Sequence, residues 1–328
     1  MPGALILGAS GHVGNAVVRD LISRGWDVCA TSRQKAPASN LLKLTTRYLS
    51  GCPGNVDDFA DWFTGYDLVI DAASPYPLNM FDFTGNSLTP MERATQRTEQ
   101  LVQAAARTSS TLCCISSFTT VIKAQSDTPT SLLGGFARTM HPYFGVKRAV
   151  ERVVLSAAER GQDCFLLNPT LCLGPWDLKD RELTLLPPLA TGDLPVTTEH
   201  TINVVDVRDV ARMLHAAYEQ KFFGRRLLCS GHNLALSDLA QTVAEQAQSR
   251  PPLTQVSTAL STAGAMWGEL ILAGIAKNSP LPALGMMLIS EHQHLEISKA
   301  QRALGISPLA LQNTIADSLT WYTQIGYC

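Results

Sequence analysis

The sequence has no excess of positive charge. Lysine and arginine number 26 against 28 aspartates and glutamates, and charged residues make up 16% of 328 positions. Without a Lys/Arg-rich run there is no electrostatic track for a phosphate backbone, which argues against a nucleic-acid partner. Although 45% of the residues are hydrophobic, no apolar run approaches the ~20 residues that a bilayer crossing requires, so a membrane partner is not expected either. The N-terminus, Met1 to Leu7, lacks a basic n-region and leads straight into glycines, which reads as a strand and not a signal peptide. The 8 cysteines contain no CxxC pair. Cys113 and Cys114 are adjacent inside an apolar run, as small buried hydrophobes would be, and a reducing, cytoplasmic setting is expected. His292 and His294 have nothing nearby to complete a metal site. There is no internal repeat and no low-complexity segment, and the length suggests two domains.

What is present begins with a glycine turn. Ala4 to Leu7 is a short apolar run, followed by Gly8, Ala9, Ser10, Gly11, His12, Val13 and Gly14. Val13, Val17 and Leu21 then recur at helical spacing, and Gly25 stands where a helix would stop. Strand, glycine turn and helix in that order form the context of a phosphate-binding loop. The glycines let the backbone approach a pyrophosphate, and the N–H groups of Ser10 to Val13 open the helix towards the anion. His12 could reach a phosphate, but it reads more simply as a surface histidine at a helix start.

Apolar runs and helical stretches alternate onward. Trp26 to Ser32 reads as a second strand, ending at Ser32 and Arg33. A carboxylate at that point would favour the ribose 2′-hydroxyl of NAD(H), whereas the Arg33 guanidinium suits a 2′-phosphate, so NADP(H) is preferred over NAD(H). A helix is expected at 59–63, after Asn55. Tyr66 to Ser74 forms a further strand whose small terminal residues, Ala73 among them, would let a cofactor pass close to the backbone. Residues 91–107 are helical by propensity, and Thr111 to Ser117 is a strand ending in two hydroxyls. The alternation predicts an α/β fold with a doubly wound parallel sheet and right-handed crossovers.

Tyr143 and Lys147 stand four apart on a predicted helix, so they share a face and the ammonium can lie beside the phenol. A phenol titrates near pKa ~10, and poising it near neutrality requires the phenolate to be stabilised by about 4 kcal/mol. A neighbouring cation supplies part of that stabilisation.

Gly8, Gly11 and Gly14, a strand ending in serines, and Tyr143 with Lys147 together resemble the extended short-chain dehydrogenase/reductase family. Residues 168–175, beginning Asn-Pro, resemble that family's crossing into its substrate domain. Residues 203–211 resemble its returning helix, and residues 298–300, 304–305 and 321–322 its C-terminal signature. The Asn-Pro crossing and the segment 116–121 are most similar to the dihydroflavonol-reductase and hydroxysteroid-dehydrogenase branch. The resemblance implies a Rossmann-type sheet with a smaller, interleaved C-terminal substrate domain. Residues 1–168 and 201–231 would form the cofactor domain, and 169–200 with 232–328 the substrate domain. It further implies that Tyr143 exchanges a proton with a carbonyl oxygen, that Lys147 assists it and binds the nicotinamide ribose, and that Ser117 orients the same oxygen. Ser116 and Thr119 compete with Ser117 for that last role. Asn55 takes the place of an adenine-contacting Asp, and Pro169 lies against the cofactor.

The substrate is expected to be a small molecule, and the resemblance implies a homodimer. Residues 265–289 are rich in Met, Leu and Trp, suiting an apolar substrate wall or, more simply, the core of the small domain. The leading function is an NADPH-dependent carbonyl reductase. A nucleotide-sugar epimerase or dehydratase with a retained cofactor is the alternative within the family, and a non-catalytic dinucleotide sensor is the alternative outside enzymes.

Overall fold

The computed structural model describes residues 1–44, 47–74, 88–121, 141–179, 184–194, 196–198, 200–252, 254–256, 284, 288, 295 and 299–328. Seven parallel strands form the main sheet: β1 (Gly3–Leu7), β2 (Asp27–Ser32), β3 (Arg47–Ser50), β4 (Leu68–Asp71), β5 (Thr111–Ile115), β6 (Cys164–Pro169) and β10 (Arg226–Cys229). Their spatial order is β10-β6-β5-β4-β1-β2-β3, so the winding reverses between β1 and β4. Ligands of such sheets bind beyond the carboxyl ends of the strands at that switch.

Strand residues alternate between two apolar layers. Ala4 and Ile6 face the layer built with helices α1 (His12–Ser23) and α6 (Val207–Glu219). Leu5 and Leu7 face the layer built with α2 (Val56–Phe63), α3 (Pro90–Thr108) and α4 (Pro142–Glu159). The adjacent cysteines obey the same period: Cys113 enters the first layer and Cys114 the second, both fully buried. Burial pushes both thiols well above their ordinary pKa, so they behave as the small hydrophobes expected.

After β6 the chain crosses into a smaller unit. There β7 (Leu171–Leu173), β9 (Thr201–Asp206) and β11 (His232–Ala235) form a sheet in which β9 pairs parallel to β7 and antiparallel to β11. Helices α5 (Leu186–Ala190), α7 (Leu236–Ala247) and α9 (Leu311–Gln324) share its core through Leu189, Val243 and Ile315. A two-stranded pair, β8 (Val196–Thr198) and β12 (Thr254–Val256), and the short α8 (Lys299–Ala303) complete the described elements. The return to the large sheet begins later than the expected residue 201. Residues 201–206 belong to the small sheet, and α6 and β10 make the return. The segment resembling a returning helix at 203–211 is accordingly strand to Asp206 and helix from Val207, whose first turn is capped by the Asp206 carboxylate.

The β1–α1 turn is where sequence and packing are tightest. Gly8 has φ of +79°, and a Cβ there would lie 2.9 Å from the Ala72 carbonyl carbon on the adjoining strand. At Gly14 a Cβ would sit 2.3 Å from the Gly8 carbonyl oxygen, too close for any side chain to share the space without moving the backbone. Gly14→Ala is therefore expected to destabilise the fold by about 2 kcal/mol or more, measurable as a lowered urea midpoint with circular dichroism.

Candidate active site

A cavity of about 330 Å³ opens over the glycine turn and extends to the end of β5. Gly11, His12, Val13 and Gly14 line one end, Ser117, Tyr143 and Lys147 the other, and Pro169 stands on the wall. Tyr143 and Lys147 lie on α4, the helix expected from their spacing. His141 caps it by accepting the Tyr143 N–H on Nδ1 at 3.2 Å, and Pro142 occupies the first turn, where its missing N–H costs nothing. Tyr143 is buried, packed edge-to-face on Phe144 with centroids 5.4 Å apart. The Lys147 Nζ lies 5.9 Å from the centre of the Tyr143 ring.

Lys147 is 4% exposed. Its ammonium donates to the Ser74 hydroxyl at 3.5 Å and the Ile115 carbonyl at 3.4 Å. Burial pushes its pKa down to about 8, against the opposing pull of Asp71 and, further down the order of causes, of Glu151. Asp71 itself ends β4 fully buried in a bidentate pair with Arg97, at 2.7 and 2.8 Å.

The three hydroxyls that the sequence left in competition are separated by their partners. Ser116 donates to the Glu151 carboxylate at 2.7 Å. Ser117 Oγ instead accepts, from the Thr119 N–H at 3.3 Å and the Thr119 hydroxyl at 3.1 Å. Thr119 spends its proton on Ser117, and Ser117 keeps its own proton uncommitted among the described residues.

The glycine turn suits a diphosphate on structural grounds. Helix α1 opens with no side-chain cap and no acidic residue in its first turn, which leaves its N–H groups for an anion. Gly8 lies beneath the cavity as the turn residue, and its carbonyl accepts the Gly11 N–H at 3.0 Å. The Ser10 carbonyl is held by Asn40 Nδ2 at 3.0 Å, and the same amide reaches the Trp176 carbonyl of the crossing segment at 3.0 Å. Ala73 is exposed beyond β4, its N–H taken by Asp71, while its neighbours Ala72 and Ser74 line the cavity.

Ser32, Arg33 and Asn55 do not line this cavity. Ser32 ends β2, its hydroxyl 2.8 Å from the Tyr48 hydroxyl, and Arg33 follows exposed. Among the described residues no carboxylate pairs with Arg33. The Asn55 side-chain oxygen caps α2, accepting the N–H groups of Asp57 and Asp58 at 2.9 and 3.0 Å, which accounts for an amide at this position without a cofactor.

His12 is not the surface residue expected: it is 6% exposed, with Nδ1 3.7 Å from the Asp177 carboxylate. Burial lowers its pKa despite Asp177, so the neutral imidazole is favoured. Asp177 and Lys179, which bonds to it at 3.3 Å, come from the crossing after β7 and carry no motif of their own. Glu151, by contrast, had a legible signal, lying one further helical step of four beyond Lys147. His292 and His294 lie outside the described residues, among which no group of His, Cys, Asp and Glu could hold a metal. Of the apolar stretch 265–289, Leu284 is buried and Leu288 lines the cavity, and the rest lies outside the described residues. No helix among the described residues is long and apolar enough to cross a membrane.

The sequence profile of the NAD dependent epimerase/dehydratase family matches residues 4–226. The chain belongs to this family. The family comprises NAD(P)-dependent oxidoreductases and epimerases of the extended short-chain dehydrogenase/reductase type, as the sequence motifs implied. Over 98% of this chain and 95% of the relative, it is 24% identical to a Synechocystis sp. protein provisionally named dihydroflavonol 4-reductase. It is 28% identical to cinnamoyl-CoA reductase 1 of Oryza sativa subsp. japonica, across 73% of this chain and 74% of that protein. A solved nucleoside-diphosphate-sugar epimerase from Pseudomonas aeruginosa superposes with a TM-score of 0.73 at 20% identity, covering 99% of both chains. That last likeness concerns the fold.

The buried ammonium has a stability consequence. The Lys147 pKa falls from 10.5 to about 8 on folding, so burial of the charge costs about 3 kcal/mol while the group is protonated in both states. Lys147→Met should therefore raise stability by up to about 3 kcal/mol at pH 7. Because the folded state releases its proton first, the cost is full below pH 8 and declines as pH rises through the window from about 8 to 10.5. Urea unfolding of the two proteins across that window checks this, and the difference should vanish at its upper end.

Proposed function

We propose that this family member is an NADPH-dependent carbonyl reductase acting on a ketone or aldehyde of a small, largely apolar molecule. The observation that carries the reading is that Ser117, Tyr143 and Lys147 border the same cavity as the uncapped glycine turn. Bound nicotinamide would supply the hydride. Tyr143 gives its phenolic proton to the carbonyl oxygen as that oxygen gains charge. Ser117, whose Oγ already accepts two hydrogen bonds, donates a hydrogen bond to the same oxygen and keeps its proton. The Lys147 ammonium steadies the phenolate left behind. Ser116 is the poorer choice for the serine role because its proton is directed to Glu151.

The apolar character of the substrate is supported by Ile115, Phe118, Leu171, Ile202 and Leu288 on the cavity wall. The names of the two reductase relatives support reduction over epimerisation. Preference for NADP(H) rests on the exposed Arg33 after β2, unpaired with any carboxylate among the described residues. Eight free cysteines suit the reducing cytoplasm, to which we assign the protein. A second reading, a nucleotide-sugar epimerase or dehydratase, is supported by the family whose profile matches, that of the NAD dependent epimerases and dehydratases. Such an activity would keep its cofactor through the cycle and need none added.

A panel of ketones, aldehydes and nucleotide sugars, followed by NADPH oxidation, distinguishes the two. Purification with tightly held NAD and turnover of a nucleotide sugar without added cofactor would replace the reductase reading. On the best carbonyl substrate, Tyr143→Phe should retain NADPH binding and lose about 100-fold or more in kcat; near-normal turnover refutes the assignment. Arg33→Asp should weaken NADPH binding by at least about tenfold more than NADH binding, as judged by nucleotide fluorescence. Equal losses would show that Arg33 does not read the 2′-phosphate.

A further inference from the structure

Among the buried charged residues that the proposed reacting groups leave unused, Glu151 lies on the same helix as Tyr143 and Lys147. Glu151 is 1% exposed and lies on α4 at the third position of the series 143, 147, 151, each step of four residues advancing about 6 Å along the helix. Four donors from separate parts of the fold converge on it. Oε1 accepts from the Ser116 hydroxyl at the end of β5 at 2.7 Å and from the Thr120 hydroxyl in the 3-10 turn 118–120 at 2.5 Å. It also accepts from Asn168 Nδ2 on β6 at 2.5 Å. Oε2 accepts from Arg226 Nε on the edge strand β10 at 2.7 Å.

Two of these donors also grip the catalytic candidate. Asn168 Nδ2 has a second proton for the Ser117 carbonyl, at 2.8 Å, and the Thr120 hydroxyl, 2.8 Å from the same oxygen, shares its single proton between that carbonyl and Glu151. The Ser117 backbone is thus fastened, through two side chains, to a carboxylate on the helix that carries Tyr143 and Lys147. An isolated carboxylate in this interior would be costly, and an apolar side chain would fill the space as well. What the charge adds is register between a short turn and a helix.

We propose that Glu151 is a positioning residue for this site, setting where the Ser117 hydroxyl stands relative to Tyr143 and Lys147. The inference rests on the reading of those three residues given above. Glu151 does not line the cavity and acts on Ser117 through Asn168 and Thr120. A glutamine cannot replace it: the amide has one acceptor oxygen, so whichever way it turns, its NH2 faces a donor.

The test is a double-mutant cycle between Glu151→Gln and Ser117→Ala, assayed with saturating NADPH and the best carbonyl substrate of the panel. Glu151→Gln should lower kcat by about 10- to 100-fold and leave the NADPH dissociation constant within about twofold. In the Ser117→Ala background it should have little further effect. Hydrogen exchange without cofactor should show faster exchange in the peptide spanning residues 116–121 while the β1–α1 region is unchanged. Independent, multiplying losses in the cycle, or an unaltered kcat in folded Glu151→Gln, overturns the proposal. If Glu151→Gln fails to fold, Thr120→Val enters the same cycle, with the same coupling expected and the same additivity fatal. A normal Tyr143→Phe would instead remove the reductase reading, whatever the cycle shows.

Discussion

An ammonium held out of water beside a phenol is the constraint on which the rest of this cleft depends. Lys147 is tolerated in the interior because the surroundings leave it partial compensation: a carbonyl at the end of β5, a hydroxyl after β4, and the carboxylates Asp71 and Glu151 among the groups that raise its pKa. None of these partners is close to ideal, with both hydrogen bonds at 3.4 to 3.5 Å, and the pKa settles near 8. A cation satisfied completely by its own neighbours would have little to offer a phenolate or a ribose hydroxyl. Incomplete satisfaction reduces stability and leaves the charge available to a reaction.

The fold delivers the parts of this arrangement from distant positions in the chain. The reversal of winding between β1 and β4 leaves a crevice above the strand ends. The glycine turn borders it from one side and the ends of β4 and β5 from the other. Helix α4 packs against α3 and the second apolar layer through Val146, Val150 and Val154, a stripe that adjoins the series 143, 147 and 151 on the helix surface. One helix therefore serves both as a core element and as the carrier of the site. The crossing after β6 adds a further wall, where Asn40 joins the Ser10 carbonyl to the Trp176 carbonyl and Asp177 meets His12. These contacts couple the glycine turn to the smaller unit.

Legibility followed the range of the interactions. The β1–α1 turn and the four-residue step from Tyr143 to Lys147 could be read because each is decided within a few residues. The alternation of Cys113 and Cys114 between layers follows from the pleat of a single strand. His12 was misread because its surroundings are supplied by residues 174–177, more than 160 positions away. Asn55 was read by its place in a family pattern, yet its side chain is spent on its own helix. The start of the return to the large sheet was read too early because a strand of the small sheet, 201–206, joins directly to a helix packed on the large one.

The sequence by itself determined the parallel, doubly wound sheet, the helix that opens from a glycine turn and the pairing of a phenol with an amine, since these rest on local periodicity and backbone sterics. Only the tertiary structure decided which hydroxyl keeps its proton, that His12 is buried against Asp177, and that Glu151 gathers donors from β5, β6 and β10. Those outcomes depend on which groups are left without water when distant strands close together, and a linear pattern does not encode that competition.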